Sequence, residues 1–153
     1  MAPRPHPPGE PCRHAHAATM RCQDLFSFMP ALDLDHDADV ITTRLSSADT
    51  LFVACLCAEW CGSCREYRAG FDALADAHPE ACFVWIDIET HADRLDDFDV
   101  ENFPTILIED AHATRFFGTV LPHPQIVARM LVDLSSLPGV ERAPKLRPAL
   151  VDA

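Results

Sequence analysis

Two periods of apolar residues alternate along the middle of this chain. Leu51–Cys57 is apolar at every position, the pattern of a strand covered on both faces, and Cys82–Ile88 reads as another buried strand, apolar but for Asp87. Between them, Cys61 to about His78 places Tyr67, Phe71 and Leu74 at helical spacing, and Pro79 stops the helix. Asp37–Ser46 reads as an earlier helix with Val40, Ile41 and Leu45 on one face. Leu25–Leu34 holds a short first strand, interrupted at Pro30. Downstream, Thr90-His91-Ala92-Asp93 resembles a capping box with Asp in place of Glu, opening a short helix toward Phe98. Thr105–Ile108 and Thr114–Phe117 pair as a hairpin across Glu109–Ala113. His123 and Pro124 cap and start a last helix, with Ile126, Val127, Met130, Leu131 and Leu134 inward. The order is β-α-β-α-β-α-β-β-α, which predicts an α/β domain with parallel crossovers first and an antiparallel pair last.

The ends behave differently from the middle. Met1 to about residue 24 is rich in Pro, His and Ala and lacks the bulky apolar residues that would offset its ordering entropy, so it reads as a disordered extension. Met20 and Met29 are alternative starts within or near it. Residues 25–137 form the domain, and 138–153, with aperiodic Pro and Arg, reads as a flexible tail. The 153 residues suffice for one core without staples.

Charge narrows the partners. Asp and Glu number 24 against 12 Lys and Arg, a formal charge of −12, which opposes nucleic-acid binding because phosphate backbones need a basic face. The longest apolar run, Leu51–Ala58, falls far short of the roughly 18 residues of a membrane span. The first 20 residues hold no apolar signal core. Seven cysteines, at 12, 22, 55, 57, 61, 64 and 82, show no framework spacing, which points to a reducing, cytoplasmic setting.

The candidate chemistry lies in Trp60-Cys61-Gly62-Ser63-Cys64, directly after the buried strand. A helix starting at Cys61 would put both thiols on its opening turn, where unpaired N–H groups and the helix dipole favour thiolate. A thiolate with a second thiol in reach can attack a disulfide and resolve the mixed intermediate. A half zinc site is the competing reading, but no second Cys-x-x-Cys is present. Cys12, His14, His16 and Cys22 could offer metal donors, yet they lie in the extension read as disordered, so no metal is expected.

Three stretches, Ala58-Glu59-Trp60-Cys61-Gly62-Ser63-Cys64-Arg65, Val84-Trp85-Ile86-Asp87 and Val100-Glu101-Asn102-Phe103-Pro104-Thr105, resemble the thioredoxin family in order and spacing. Gly118 falls near that family's late glycine, and the likeness spans roughly Asp37–Leu134. The resemblance implies a thioredoxin-like fold, a mixed central β-sheet flanked by helices on both faces. It implies Cys61 as attacking thiol and Cys64 as resolving thiol, joined as the redox-active disulfide. Pro104 would be a cis-proline, with Trp60, Gly62, Ser63, Pro104 and Thr105 shaping the substrate site. The implied function is thiol–disulfide exchange on protein disulfides, by a monomer that needs no cofactor. A flavin-dependent thioredoxin reductase or another thiol reductant would regenerate it.

Three departures qualify this. Ser63 stands where the family usually has proline, and a looser turn with a hydroxyl near the thiolate predicts a less negative potential. Cys55 and Phe83 replace a buried Asp–Lys pair, removing it as a unit. Cys57 replaces a tryptophan and shares a sheet face with Cys55. Cys55, Cys57 and Cys82 read as small buried hydrophobes rather than a redox relay. The acidic run Asp87, Glu89, Asp93, Asp96, Asp97, Asp99 and Glu101 reads first as a solvated face and second as a partner-selecting patch. An adaptor or assembly chaperone with an idle dithiol, or a redox sensor, are the competing functions.

Overall fold

The computed structural model describes residues 29–152, so the N-terminal extension, with Cys12, His14, His16 and Cys22, lies outside the described residues. A five-stranded sheet has the order β1-β3-β2-β4-β5. Its strands are β1 (Leu32–Asp33), β2 (Phe52–Cys57), β3 (Cys82–Asp87), β4 (Thr105–Glu109) and β5 (Thr114–Thr119). β1, β3 and β2 run parallel, while β4 runs antiparallel to β2 and to β5. The α-helices are α1 (Ala38–Leu45), α2 (Gly62–Ala77), α3 (Pro124–Val132) and α4 (Arg147–Val151).

Central β2 is buried along its whole length, as its unbroken apolar run predicted, and its side chains divide by parity. Val53, Cys55 and Cys57 join the cluster under α2 and α3 that contains Cys64, Tyr67, Phe71, Phe83 and Val127. Phe52, Ala54 and Leu56 join the opposite cluster with Ile41, Leu45, Val84, Ile86 and Leu107. Helix α2 buries Cys64, Tyr67, Phe71, Leu74 and Ala75, the stripe of a 3.6-residue period. It lies so close to α3 that a Cβ on Gly70 would fall 2.1 Å from a Pro124 side-chain carbon, so only glycine fits there.

Two expectations are corrected. The helix predicted from Thr90 is a single 3₁₀ turn, Ala92–Arg94, without a side-chain cap. The carboxylate of Asp87 organises this loop instead, accepting the N–H groups of Glu89 at 2.8 Å and Thr90 at 3.0 Å.

The segment 138–152, read as a flexible tail, packs on the second face. Leu146 is 0% and Leu150 2% exposed, both within the cluster of Ile41, Leu45 and Leu107. Buried Glu109 fixes the entry to α4 by accepting the Leu146 N–H at 2.6 Å and the Arg147 N–H at 3.2 Å. Arg147 itself donates to the carbonyls of Ser47, Ala48 and Thr50. Composition suggested flexibility because two leucines four apart, one at the N-cap and one inside a five-residue helix, give too little periodicity to read. With β3 followed by one turn rather than a helix, α4 supplies cover for this face beside α1.

Candidate active site

The loop between β2 and α2 is held at both ends by backbone bonds. The Cys61 N–H donates to the Ala58 carbonyl at 3.0 Å, and the Arg65 N–H donates to the Cys61 carbonyl at 3.2 Å. Cys61 is thereby the N-cap of α2, and Gly62 and Ser63 are exposed on its first turn. A Cβ on Gly62 would meet nothing within 4 Å, so this side of the turn is open. Asp87 also accepts the Glu59 N–H at 3.0 Å and ties the end of β3 to the thiol loop. Reading Asp87 as part of a solvated acidic run missed this anchoring role.

Trp60 is 63% exposed and donates its indole N–H to Glu89 at 2.9 Å. Its ring meets Phe103 edge-on, with centroids 5.6 Å apart. This contact joins the thiol loop to the segment before β4, where the Phe103–Pro104 peptide bond is cis. Pro104 is buried. The Thr105 side chain turns inward, donating to the Asn102 carbonyl at 2.7 Å and meeting the Thr119 hydroxyl at 3.4 Å. Of the five residues expected to shape a substrate site, Trp60, Gly62 and Ser63 are exposed, while Pro104 and Thr105 are buried.

The sulfur pairing departs from expectation. Cys64 is joined by a disulfide to Cys57, not to Cys61, and Cys61 is a half-buried free thiol. Cys57 ends β2 on its α2 face, and Cys64 leads the inward stripe of α2, which sets their Cα atoms 5.9 Å apart. Cys57, read as a small packing residue, is thus buried and bonded. The Cys55 sulfur lies 3.6 Å from that of Cys57. Parity had placed Cys55 and Cys57 on one side of the sheet. That Cys64 lies against them required the helix to be docked.

Burial pushes the Cys55 thiol well above its ordinary range, with Arg68 opposing weakly. Burial also pushes Cys82, on the opposite face, up to about 11. Both are protonated near neutral pH. The Tyr67 hydroxyl, in the Cys55 cluster, is buried and without a hydrogen-bond partner among the described residues. Phe83 stands edge-on to Phe71 at 5.4 Å, so the region of the replaced charge pair is filled by aromatic packing and thiols.

A cleft of about 460 Å³ flanks Cys64, lined by Asp33, Arg65, Arg68, Trp85 and Asp87 among others. Arg68 closes its floor, bonded to Asp33 and Asp72 at 3.3 Å and stacked over Trp85 at 4.9 Å. Glu89, Asp93, Asp96, Asp97, Asp99 and Glu101 are all exposed, and of these Glu89 reaches the site, through Trp60. Among the described residues no group of His, Cys, Asp and Glu is placed to hold a metal, and no helix is long and apolar enough to cross a membrane.

Comparison with known proteins agrees with this architecture. The family model described as Thioredoxin matches residues 33–130. A putative thioredoxin 2 of Streptomyces coelicolor is 31% identical over 51 residues, covering 33% of this chain and 38% of that protein. Among solved structures, thioredoxin NaTrxh of Nicotiana alata superposes with a TM-score of 0.58 at 18% identity, over 69% of this chain and 93% of that one. A chain from the complex of ferredoxin:thioredoxin reductase with thioredoxin f2 gives 0.56 at 14% identity, over 71% and 96%. At such identities the likeness is one of fold. The chain spans between 38% and 66% of the length of the first curated relatives it matches.

Proposed function

The chain belongs to the thioredoxin family, and from that premise we propose that it is a thiol–disulfide oxidoreductase acting on protein disulfides through Cys61 and Cys64. The observation that carries this reading is the free Cys61 thiol, half-buried at the N-cap of α2 beside the exposed Trp60 ring. In the proposed reaction the Cys61 thiolate attacks one sulfur of a substrate disulfide. The electron pair of the broken bond leaves on the other substrate sulfur, which takes a proton. Cys64, as thiolate, then attacks the Cys61 sulfur, releases the first substrate sulfur and closes a Cys61–Cys64 bond. Trp60, with Phe103 behind it, offers a rigid apolar face against which an extended substrate segment can lie. A reductase or small thiol would return the protein to its dithiol form.

Insulin-disulfide reduction with dithiothreitol as electron source tests this. Turnover by the wild type that is lost in Cys61→Ser supports the oxidoreductase. A wild type no faster than that variant would overturn it in favour of an adaptor. The exposed acidic segment from Glu89 to Glu101 gives the adaptor reading its one specific support, as a surface that selects basic partners.

A further inference from the structure

The two-cysteine exchange leaves the Cys57–Cys64 bond without a role. Cys57 and Cys64 are each 1% exposed, and the Cys55 sulfur stands 3.6 Å from Cys57. Of these four cysteines, only Cys61 reaches solvent. Cys61 caps α2 and Cys64 lies three positions on in its first turn, while Cys57 meets Cys64 from the adjoining strand. Cys64 therefore stands between a surface thiol and a core thiol.

We propose that Cys57 is a third redox thiol, which takes Cys64 over from Cys61 and so moves the disulfide from the surface into the core. This rests on the reading of Cys61 and Cys64 as the exchanging pair. The Cys57 thiolate attacks the Cys64 sulfur and a Cys57–Cys64 bond forms. The Cys61–Cys64 bond breaks, and its electron pair leaves on the Cys61 sulfur, which takes up the proton that Cys57 had released. Two electrons' worth of oxidation is conserved, so no oxidant or reductant is consumed. Attack by Cys61 on Cys64 runs the step backward and returns the bond to the surface.

A thiolate on Cys57 has to be tolerated in the core, where an uncompensated charge is costly. The Cys55 thiol, kept protonated by its burial, can donate to that sulfur. The hand-over leaves Cys61 free on an oxidised protein. A mixed disulfide then formed by Cys61 has no resolving thiol, because Cys64 is occupied, and it persists.

The test is disulfide mapping on the full chain after diamide oxidation, acid quench, alkylation of free thiols under denaturing conditions and peptide mass analysis. The wild type should show Cys57–Cys64 with Cys61 alkylated. Cys57→Ser should show Cys61–Cys64 instead, with alkylation of Cys61 reduced about tenfold. Cys61→Ser should leave Cys57 and Cys64 free, because the bond reaches the core only by way of Cys61. Cys57→Ala, checked by circular dichroism, serves if a buried serine unfolds the protein. A Cys57–Cys64 bond formed as readily in oxidised Cys61→Ser as in the wild type would overturn the hand-over while leaving insulin reduction by the wild type intact. A Cys57–Cys64 bond in a protein that reduces no insulin would overturn the exchange reading and the hand-over together, leaving a structural bond.

Discussion

The two faces of β2 share one strand and differ in everything that bears on reactivity. On the α2 side, Cys55, Cys57, Cys64 and the Tyr67 hydroxyl bring sulfur and oxygen into the core directly below a half-buried thiol. On the α1 side, Phe52, Ala54 and Leu56 meet aliphatic residues and the docked Leu146 and Leu150, with Cys82 held as an inert thiol. One face keeps polarisable groups within exchange distance, and the other closes with apolar packing. Chemistry and cohesion are thus assigned by the parity of residue positions along a single buried strand.

The closed face should break hardest. Leu146→Ala removes a fully buried side chain and should cost about 3 kcal/mol of unfolding free energy, within the usual large-to-small range. Urea denaturation measures this, and insulin reduction per folded molecule should stay unchanged. A fall in specific activity of the folded fraction would show that the faces are not separable.

Glu109→Ala should cost about 2 kcal/mol by the same assay, because it strands the N–H groups of Leu146 and Arg147. On the reactive face, reducing the Cys57–Cys64 bond opens a loop of sequence separation 7. The oxidised form should therefore be more stable by about 2 kcal/mol on loop-entropy grounds. Equal urea midpoints for the two forms would contradict that loop argument. Ser63→Pro should shift the potential of the dithiol to more negative values by about 30 mV. An unchanged or less negative potential would remove the argument from the looser turn.

The smallest effects are those of pH, and two adjacent carboxylates should oppose each other. Burial raises the carboxyl of Glu109 above its ordinary range, despite the N–H groups and cations around it. Its contribution to stability is therefore present below the unfolded pKa of about 4.3 and lost as pH rises through the higher folded value. Burial also opposes ionisation of Asp110. The N–H groups of Ala113 and His112 and the Arg115 guanidinium outweigh it and hold that carboxyl low. Its contribution is present above about pH 3.9 and lost as pH falls through the lower folded value. Asp110→Asn should flatten the acid limb of stability against pH, and Glu109→Gln should flatten the opposing slope above it.

Much of this was legible along the chain. The unbroken apolar runs located β2 and β3, and Pro79 ended α2 within two residues of the expected place. Pro124 opened α3 as its missing N–H allows at a helix start. The misreadings occurred where local signals are weak. Thr90-His91-Ala92-Asp93 has the residue types of a cap, but Asp87 already bonds the N–H groups of Glu89 and Thr90 and commits the segment to a turn. The C-terminal segment has two leucines that matter and many residues that do not, so its composition pointed to solvent.

The sequence by itself determined the five strands, the helices α1 to α3, the family and the presence of Cys61 and Cys64 on one helical turn, because each shows in residues close together in the chain. Only the tertiary structure decided which sulfur Cys64 meets. Cys57 and Cys64 lie on different elements, and their separation becomes that of a disulfide only when α2 packs onto the face of β2 where Cys57 points. The same holds for Leu146 and Glu109, which are far apart in sequence and joined by one hydrogen bond in a buried corner. Periodicity gives a residue its face, and packing gives it its partner.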